Sequence, residues 1–503
     1  MDENGNQTKN RRISPLEWNE FYISKIAGSA GGVGEHGKHE IKNTFKKPNV
    51  FKQFKVFTLR DVLSKISNTQ YLCINLLEAP LLAFILASLI KYYKNGEDYT
   101  LAGNKNMIAY LFMAVIVALF IGLTVSAEEI IGDRKILKRE SFLNLSKGSY
   151  LFSKILILFF VSAIQTLSFV LIGNYILEIQ GMYFDYWMVL FTTSCCANML
   201  GLNISASFNS AVTIYILIPF LLIPQILLSG VIVKFEELNP KISSRSVVPV
   251  SGEMMTSRWA FEALAVNQFI NNKYEKEIYA YEKEMSNCAF KKVYWQSKMT
   301  TLADECLKSE SNNNAEILKN EIAAEMNITP QFVFASLNKL QSAKIDKDAV
   351  KEIKDYLLAV KKYYAERYDK AAKQKDEWLA KFQENETSKA AYLQLVNANQ
   401  NTKLTDLVKN AGSDLDEVVE ENQKLIATTD PVFREGPANR FVRSHFFAPT
   451  KNVFGTQRST FWVNIFVIWF MSLVMLFTLY FDALRKLLDF FETIPARFKR
   501  KKN

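Results

Sequence analysis

Residues 71–93 read YLCINLLEAPLLAFILASLIKYY, an apolar stretch of the length that a membrane requires. An α-helix needs roughly 20 apolar residues to cross a hydrocarbon core about 30 Å thick. Further stretches meet or approach this requirement at residues 107–127, 151–177, 186–206, 211–233 and 461–481. The sequence therefore predicts an all-α membrane protein with six transmembrane helices.

Lys and Arg mark one side of these predicted spans. The loop between the second and third spans is rich in both, whereas the loop EIQGMYFDY at 178–186 contains neither, and the tail at 482–503 is again basic. Positively charged loops stay on the cytoplasmic side of a membrane. We therefore expect cytoplasmic N- and C-termini in the inner (plasma) membrane, with residues 234–455 outside, which in a bacterium means the periplasm.

The excess of positive charge belongs to the segments that flank the membrane. The formal net charge is +10, but residues 234–455 contain 32 Lys and Arg against 32 Asp and Glu. Membrane orientation explains basic residues beside apolar spans, so the net charge predicts no nucleic-acid partner.

Residues 234–455 are predicted to form a large helical extracytoplasmic domain. Their composition favours helix, with helical periodicity in a long stretch at 345–384 and a shorter one at 413–427. Cys288 and Cys306 lie 18 residues apart in this domain. Two interpretations are open: a disulfide formed in an oxidising compartment, or two buried, unpaired thiols.

An amphipathic helix is predicted directly before the first span. Residues 51–66 read FKQFKVFTLRDVLSKI, with Phe54, Phe57, Leu63 and Ile66 at roughly helical spacing and basic residues between them. Such a pattern is typical of a helix that lies along a membrane surface. The polar residues 1–50 are then a cytoplasmic linker.

The glycine-rich stretch GVGEHGKH at 32–39 fits the phosphate-loop pattern G-x-x-x-x-G-K, but His39 replaces the Ser or Thr that would bind magnesium. No apolar strand precedes it, so we interpret it as a flexible linker. His36, His39 and His445 are not grouped with acidic residues, and no CxxC pair occurs. The sequence predicts neither a metal site nor a catalytic constellation.

Polar side chains within the predicted spans are further candidates for functional residues. Glu78 lies in the first span, and a carboxylate there is costly unless it faces protein, water or a partner. Pro80 loosens the same helix. Glu78 is either a structural pairing group near the cytoplasmic end or part of a hinge or polar relay. Asn198 is a second intramembrane polar residue, in the fourth span.

The loop between the second and third spans is the most informative stretch. It reads SAEEIIGDRKILKRE at 126–140 and continues as SKGSYLFSK at 146–154. This charged, helix-forming segment ends in a turn of small residues that starts the third span. It is suited to being pushed by a partner protein, although it could also be an ordinary solvated loop.

In this order, these features resemble the membrane half of an ATP-binding-cassette exporter of the type-2 permease class, closest to the ABCG (white-like) subfamily. The helix at 51–66 resembles its connecting helix, and SYLFSK at 149–154 resembles its entry to the third span. ILIPFLLIPQILLSG at 216–230 is similar to its pore-lining helix, and SRWAFEAL at 257–264 to its re-entrant segment.

The resemblance implies a mechanism. Two copies of the permease line a central path in the lipid bilayer, and cytoplasmic ATPase domains that bind ATP and magnesium press on the loop after the second span. The chain itself would bind no cofactor and catalyse no reaction. By this resemblance the ATPase-coupling residues are Glu128, Asp133, Arg134, Lys135, Arg139 and Glu140. Residues that would line or plug the path, unless the aromatic ones face lipid, are Phe112, Phe120, Phe220, Leu227 and Leu228.

The chain also departs from this family. No ATPase domain precedes the spans, so we expect a separate ATPase subunit or a removed domain for which residues 1–26 would be the linker. The outer segment is far larger than usual, which favours an external partner. The alternative function is a membrane-anchored scaffold whose outer domain binds an envelope protein without transport. An ion-coupled transporter that uses Glu78 would need more intramembrane charges than the sequence contains.

Overall fold

The computed structural model describes residues 13–27, 48–143, 145–239, 241–243, 247–308, 312–341, 346–411, 416–437 and 440–500. The glycine-rich stretch at 32–39, with His36 and His39, lies outside these residues. The chain before residue 50 is a unit of its own. Its helix α1 (Pro15–Tyr22) begins at a capping box, in which Ser14 Oγ accepts from Glu17 N at 3.2 Å and Glu17 Oε2 accepts from Ser14 N at 3.0 Å.

Helices fill the region of the predicted amphipathic helix and the first five spans. They are α2 (Val50–Ser67), α3 (Thr69–Ile90), α4 (Met107–Ala127), α5 (Glu129–Glu140), α6 (Lys147–Ile176), α7 (Tyr183–Ser207) and α8 (Ala211–Leu227). The residues predicted as an amphipathic helix, 51–66, are helical and lie within α2, which packs on α6 and buries Gln53 and Phe57. Its placement along a membrane surface stays a prediction.

The segment after residue 234 is mostly helical. Its helices are α9 (Val250–Glu253), α10 (Thr256–Ile270), α11 (Glu275–Ala289), α12 (Gln296–Lys308), α13 (Asn312–Ile328), α14 (Lys347–Ala380), α15 (Glu386–Asn399) and α16 (Thr402–Val408). The helical periodicity at 345–384 corresponds to α14, which is a single helix of 34 residues.

Short β-hairpins in the same segment correct the prediction of an all-α chain. Strand β1 (Val418–Glu421) pairs antiparallel with β2 (Lys424–Ala427), and β3 (Thr450–Val453) pairs with β4 (Thr456–Ser459). The helix predicted at 413–427 is therefore wrong. Asn422 and Gln423 both have positive φ, 50° and 58°, which is the backbone of a two-residue hairpin turn.

The chain continues into α17 (Thr460–Tyr480) and α18 (Ala483–Arg500). Within the described residues, five helices are long and apolar enough to cross a membrane: α3, α4, α6, α7 and α17. Helix α8 is apolar but has only 17 residues, about 26 Å of helix against a core of about 30 Å. A sixth crossing at 211–233 therefore stays a prediction.

Hydrophobic packing separates the helix bundle from most of the outer segment. One cluster joins α3, α4, α6, α7, α10 and α17, with Leu111 and Leu158 fully buried in it. Another joins α12, α13 and α14 around Trp295 and Ile353. Helix α10 belongs to the bundle, since its residues from Thr256 to Phe269 are all buried. The predicted re-entrant segment at 257–264 thus packs among the long helices.

The cysteines of the outer segment do not form a disulfide. Cys288 lies in α11 and Cys306 in α12, and both are buried free thiols. A π-helical turn, Phe290–Trp295, joins the two helices. Eighteen residues of helix span about 27 Å, far beyond the reach of a disulfide. Of the two interpretations, the structure supports the unpaired thiols.

Candidate functional site

The charged loop after the second predicted span folds as helix α5, and the end of α7 holds its first turn. Ser205 Oγ on α7 accepts hydrogen bonds from Ile130 N and Ile131 N, each at 3.1 Å. The first backbone N–H groups of a helix have no partner within it, so this hydroxyl does the work of a capping side chain.

Arg134 makes the reciprocal contact at the end of α7. Its Nη2 donates to the carbonyl oxygens of Phe208 at 2.7 Å and Ala206 at 3.2 Å, and its Nη1 donates to Asn209 Oδ1. A guanidinium at a helix C-terminus satisfies free carbonyls and complements the helix dipole. Arg134 and Ser205 together join the first half of α5 to the C-terminal end of α7.

One buried lysine lies at the centre of the site. Lys154 belongs to α6, and its side chain is 5% exposed. Its Nζ lies 2.7 Å from Asp61 Oδ1, 3.0 Å from Glu129 Oε2 and 2.9 Å from Asp133 Oδ2. The ammonium thus joins α6 to α2 through Asp61, and to α5 through Glu129 and Asp133.

A second cation and two phenols complete this cluster, which we call the Lys154 network. Lys65 Nζ binds Glu129 and lies 3.6 Å from Asp61 Oδ2. Tyr71 OH donates to Glu129 Oε1 at 3.4 Å, and Tyr150 OH donates to Asp133 Oδ2 at 3.1 Å. Buried charges are tolerated when they are paired and hydrogen-bonded, which these contacts achieve.

The remaining predicted coupling residues lie around this network. Glu140 accepts two hydrogen bonds from Arg60 Nη1, at 2.9 and 3.2 Å, which adds a second link from α5 to α2. Glu128, Lys135 and Arg139 are exposed. The predicted set therefore divides into residues that hold α5 in place and residues that a partner could contact.

Glu78 lies beside the Lys154 network. It is half-buried on α3 and lines a cleft of about 520 Å³ together with Lys65, Glu129 and Lys154. Among the residues that the structure describes, none forms a hydrogen bond or ion pair with the Glu78 carboxylate. Of the two interpretations of Glu78, the structural pairing is therefore not seen among these residues.

Asn198 holds two long helices together. It is fully buried on α7, and its Nδ2 donates to Ser162 Oγ of α6 at 2.7 Å. Ser194 Oγ, one turn earlier on α7, donates to the same hydroxyl at 2.9 Å. Asn198 and Ser194 thus both face α6.

The predicted path residues lie in different environments. Phe112 is 3% exposed inside the bundle, with its ring 6.0 Å from that of Phe261, whereas Phe120 is 37% exposed. Phe220 and Leu227 on α8 are 69% and 46% exposed, and Leu228 is half-buried.

Helix α8 leaves one apolar face uncovered. Only Ile214 and Ile218 are buried in it, on the side that contacts α4. Five of its exposed large residues recur at helical spacing: Val212, Ile216, Phe220, Ile223 and Leu227. We call this set the α8 stripe.

Several members of the Lys154 network were not among the predicted site residues: Asp61, Lys65, Glu129 and Lys154. A signal existed for Lys154, because a lysine inside an apolar helix must find a carboxylate. Asp61 is likewise a lone acid in a basic amphipathic helix. The sequence contained no indication that these two residues meet.

The part of the chain that contains this site is similar to known proteins. Residues 52–269 match the family model described as ABC-2 type transporter, and this range includes the whole Lys154 network, the α8 stripe and all of α10 except its last residue. Residues 52–269 are therefore an ABC-2 type transporter domain. This domain is the membrane permease part of an ATP-binding-cassette transporter, and ATP hydrolysis lies in a separate domain. The family resemblance found in the sequence is confirmed.

A curated relative of the ABC-2 domain supports the subfamily as well. The ABC transporter G family member STR of Medicago truncatula is 23% identical over 247 residues, which are 46% of this chain and 28% of the relative. The chain therefore spans little more than a quarter of that relative's length. The match agrees with the resemblance to the white-like subfamily.

No group of His, Cys, Asp and Glu that could hold a metal ion occurs in the described part of the chain. His445, the histidine that the structure describes, is half-buried, and its Nε2 lies 3.0 Å from the carbonyl oxygen of Pro431. Burial lowers its pKa, so the ring is neutral at physiological pH.

Proposed function

We propose that the chain is the permease subunit of an ATP-driven exporter that works as a dimer. A partner ATPase binds ATP and magnesium on the cytoplasmic side and presses on α5. The observation that carries the proposal is the position of Lys154, whose ammonium binds carboxylates of α2 and α5 from within α6.

This network makes α2, α5 and the start of α6 move as one body. Separating α5 from α6 would leave buried carboxylates without a cation, which costs several kcal/mol. A push on the exposed residues Lys135 and Arg139 is therefore passed to the third span instead of being absorbed by a flexible loop. The loop has the rigidity that coupling requires.

The α8 stripe supports the dimer. Phe220 and its neighbours expose an apolar face on the helix that resembles the pore-lining helix of the family. A second copy that covers this stripe would enclose a path between two α8 helices. The outer segment then lies on the far side of the membrane from the ATPase.

Coexpression tests the coupling. The full chain is coexpressed with each free-standing cassette ATPase of its source organism, and co-purification and ATP hydrolysis in nanodiscs are measured. We expect one ATPase to co-purify and be stimulated. The double variant Lys135→Glu, Arg139→Glu should lose both effects, whereas the charge-matched control Lys361→Glu, Lys362→Glu on exposed positions of α14 should keep them.

Two results would oppose the proposal. ATP hydrolysis by the purified chain alone would contradict a permease subunit. If no ATPase co-purifies, while an envelope protein binds the outer segment, the scaffold alternative is correct.

A further inference from the structure

The basic tail predicted at 482–503 folds as helix α18, Ala483–Arg500. Apolar residues recur in it at the i, i+3, i+4, i+7 spacing of an amphipathic helix: Leu484, Leu487, Leu488 and Phe491, with Ile494 and Phe498 continuing the pattern in the sequence. The tail contains seven Lys and Arg against three Asp and Glu. It therefore combines an apolar stripe with an excess of positive charge.

The start of α18 is held at the end of the last predicted span. Helix α17 ends at Tyr480, and Asp482 has a φ of 51°, which turns the chain. Lys147 Nζ donates to Asp482 Oδ2 at 2.5 Å and to the carbonyl oxygen of Tyr480 at 2.7 Å. Since α17 is long enough to cross a membrane, α18 begins where the hydrocarbon core ends.

The first turn of α18 packs on the protein, but the apolar stripe then continues without cover. Leu484 contacts the core of the helix bundle. Leu487 and Phe491, one and two turns further along, are 50% and 58% exposed. Arg485 and Lys486 are exposed as well, and they lie on the polar side of the same helix.

We propose that α18 binds an anionic phospholipid surface. Leu487 and Phe491 enter the boundary of the acyl chains, while Arg485 and Lys486 contact the headgroups. Two observations select lipid over a protein partner: the helix starts at membrane level, and its positive charge complements anionic lipid. The proposal rests on the membrane location in the proposed function, but not on the ATPase or on export.

Lipid binding at α18 would act close to the coupling site. Lys147, which holds the start of α18, is also the first residue of α6, and Lys154 follows two turns later on the same helix. A lipid-bound α18 therefore anchors the coupling end of α6 to the membrane surface.

Hydrogen–deuterium exchange of the full chain in nanodiscs tests this proposal. Nanodiscs contain phosphatidylcholine alone or phosphatidylcholine mixed with phosphatidylglycerol. We expect amides of residues 483–500 to exchange more slowly with the anionic lipid, and the difference to shrink at high salt. The variant Arg485→Gln, Lys486→Gln should reduce the difference but not abolish it, since each basic residue at such a surface contributes about a fivefold change in binding and five of the seven Lys and Arg of the tail remain.

Matched variants test whether the apolar residues of α18 have an effect that other exposed apolar residues do not. Leu487→Gln, Phe491→Gln should speed exchange of 483–500 in both lipids, while the control Leu358→Gln, Leu393→Gln at 63% and 58% exposed positions should not. The proposal is overturned by equal exchange in both lipids. It is also overturned by protection that appears only with an added ATPase, or only as the protein concentration rises, because the partner would then be a protein.

This measurement needs neither ATP hydrolysis nor transport. Anionic-lipid protection of α18 in a chain that couples to no ATPase would refute the proposed function and leave this inference intact.

Discussion

Lys154 Nζ lies 2.7 Å from Asp61 Oδ1, although the two residues are 93 positions apart in the chain. Asp61 belongs to α2, and Lys154 lies near the start of α6. Glu129 and Asp133 of α5 bind the same ammonium. The three helices therefore share one buried cation, and none can move alone without breaking an ion pair.

Removing this cation should strongly destabilise the protein. Lys154→Met leaves Asp61, Glu129 and Asp133 close together, with Lys65 as the nearest remaining cation, and breaking a buried ion pair in this way costs about 3–5 kcal/mol. We expect a clear fall in the thermal unfolding temperature of the full chain in detergent.

An exposed ion pair provides the control for this variant. Lys354 and Asp304 are 2.7 Å apart, with side chains 42% and 41% exposed. Lys354→Met should cost less than about 1 kcal/mol, as exposed pairs contribute little. Equal losses in the two variants would show that the Lys154 network does not hold the helices together.

The helices of the bundle could be predicted closely from the sequence. The second predicted span, 107–127, has the same bounds as α4, and the span predicted at 461–481 differs from α17 by one residue at each end. Long apolar runs leave few alternatives, because only a helix satisfies its backbone hydrogen bonds within a membrane.

The site could be predicted only in part. The local sequence identified the charged loop and its acidic residues. The partners of Lys154 are distant from it in the sequence, and the packing of α2, α5 and α6 determines which of them it contacts. The hairpin at β1 and β2 was missed for a related reason. Its strands have only four residues each, too few to show a period that excludes a helix.

Arg134 should stabilise the end of α7 specifically. Arg134→Gln removes the charge and the fork that binds the carbonyl oxygens of Ala206 and Phe208, a loss of up to about 2 kcal/mol. Hydrogen exchange of the amides at 203–209 should become faster by roughly tenfold or more. Lys135→Gln, the neighbouring exposed position, should leave these amides unchanged, and equal effects of both variants would exclude a capping role.

The α8 stripe should lie between two copies of the chain. Of the five cysteines, all of them in the described part of the chain, Cys73 is exposed and the others are buried, so Cys73→Ser provides a suitable background. In it, Phe220→Cys should form disulfide-linked dimers under mild oxidation in nanodiscs. Phe84→Cys, 58% exposed on α3, should not. If Phe84→Cys forms crosslinks as readily, α8 is not the helix at the interface.

Two carboxylates in the outer segment should make stability depend on pH. Glu275 is 1% exposed on α11. Burial first, and then the negative charge of Glu282, raise its pKa from 4.5 to about 8. Glu282 stays ionised instead, because it binds Lys375 at 2.7 Å and Lys409 at 2.9 Å.

The folded protein therefore keeps a proton on Glu275 that the unfolded chain releases above its ordinary pKa. The stability that this proton provides is fully present below pH 4.5 and is lost as the pH rises through about 8. Glu275→Gln keeps the neutral shape at every pH. Its unfolding temperature should therefore rise relative to wild type as the pH increases across this window. Glu277→Gln, at an exposed position of the same helix, should follow wild type throughout. If Glu275→Gln also follows wild type, the proton on Glu275 does not contribute to stability.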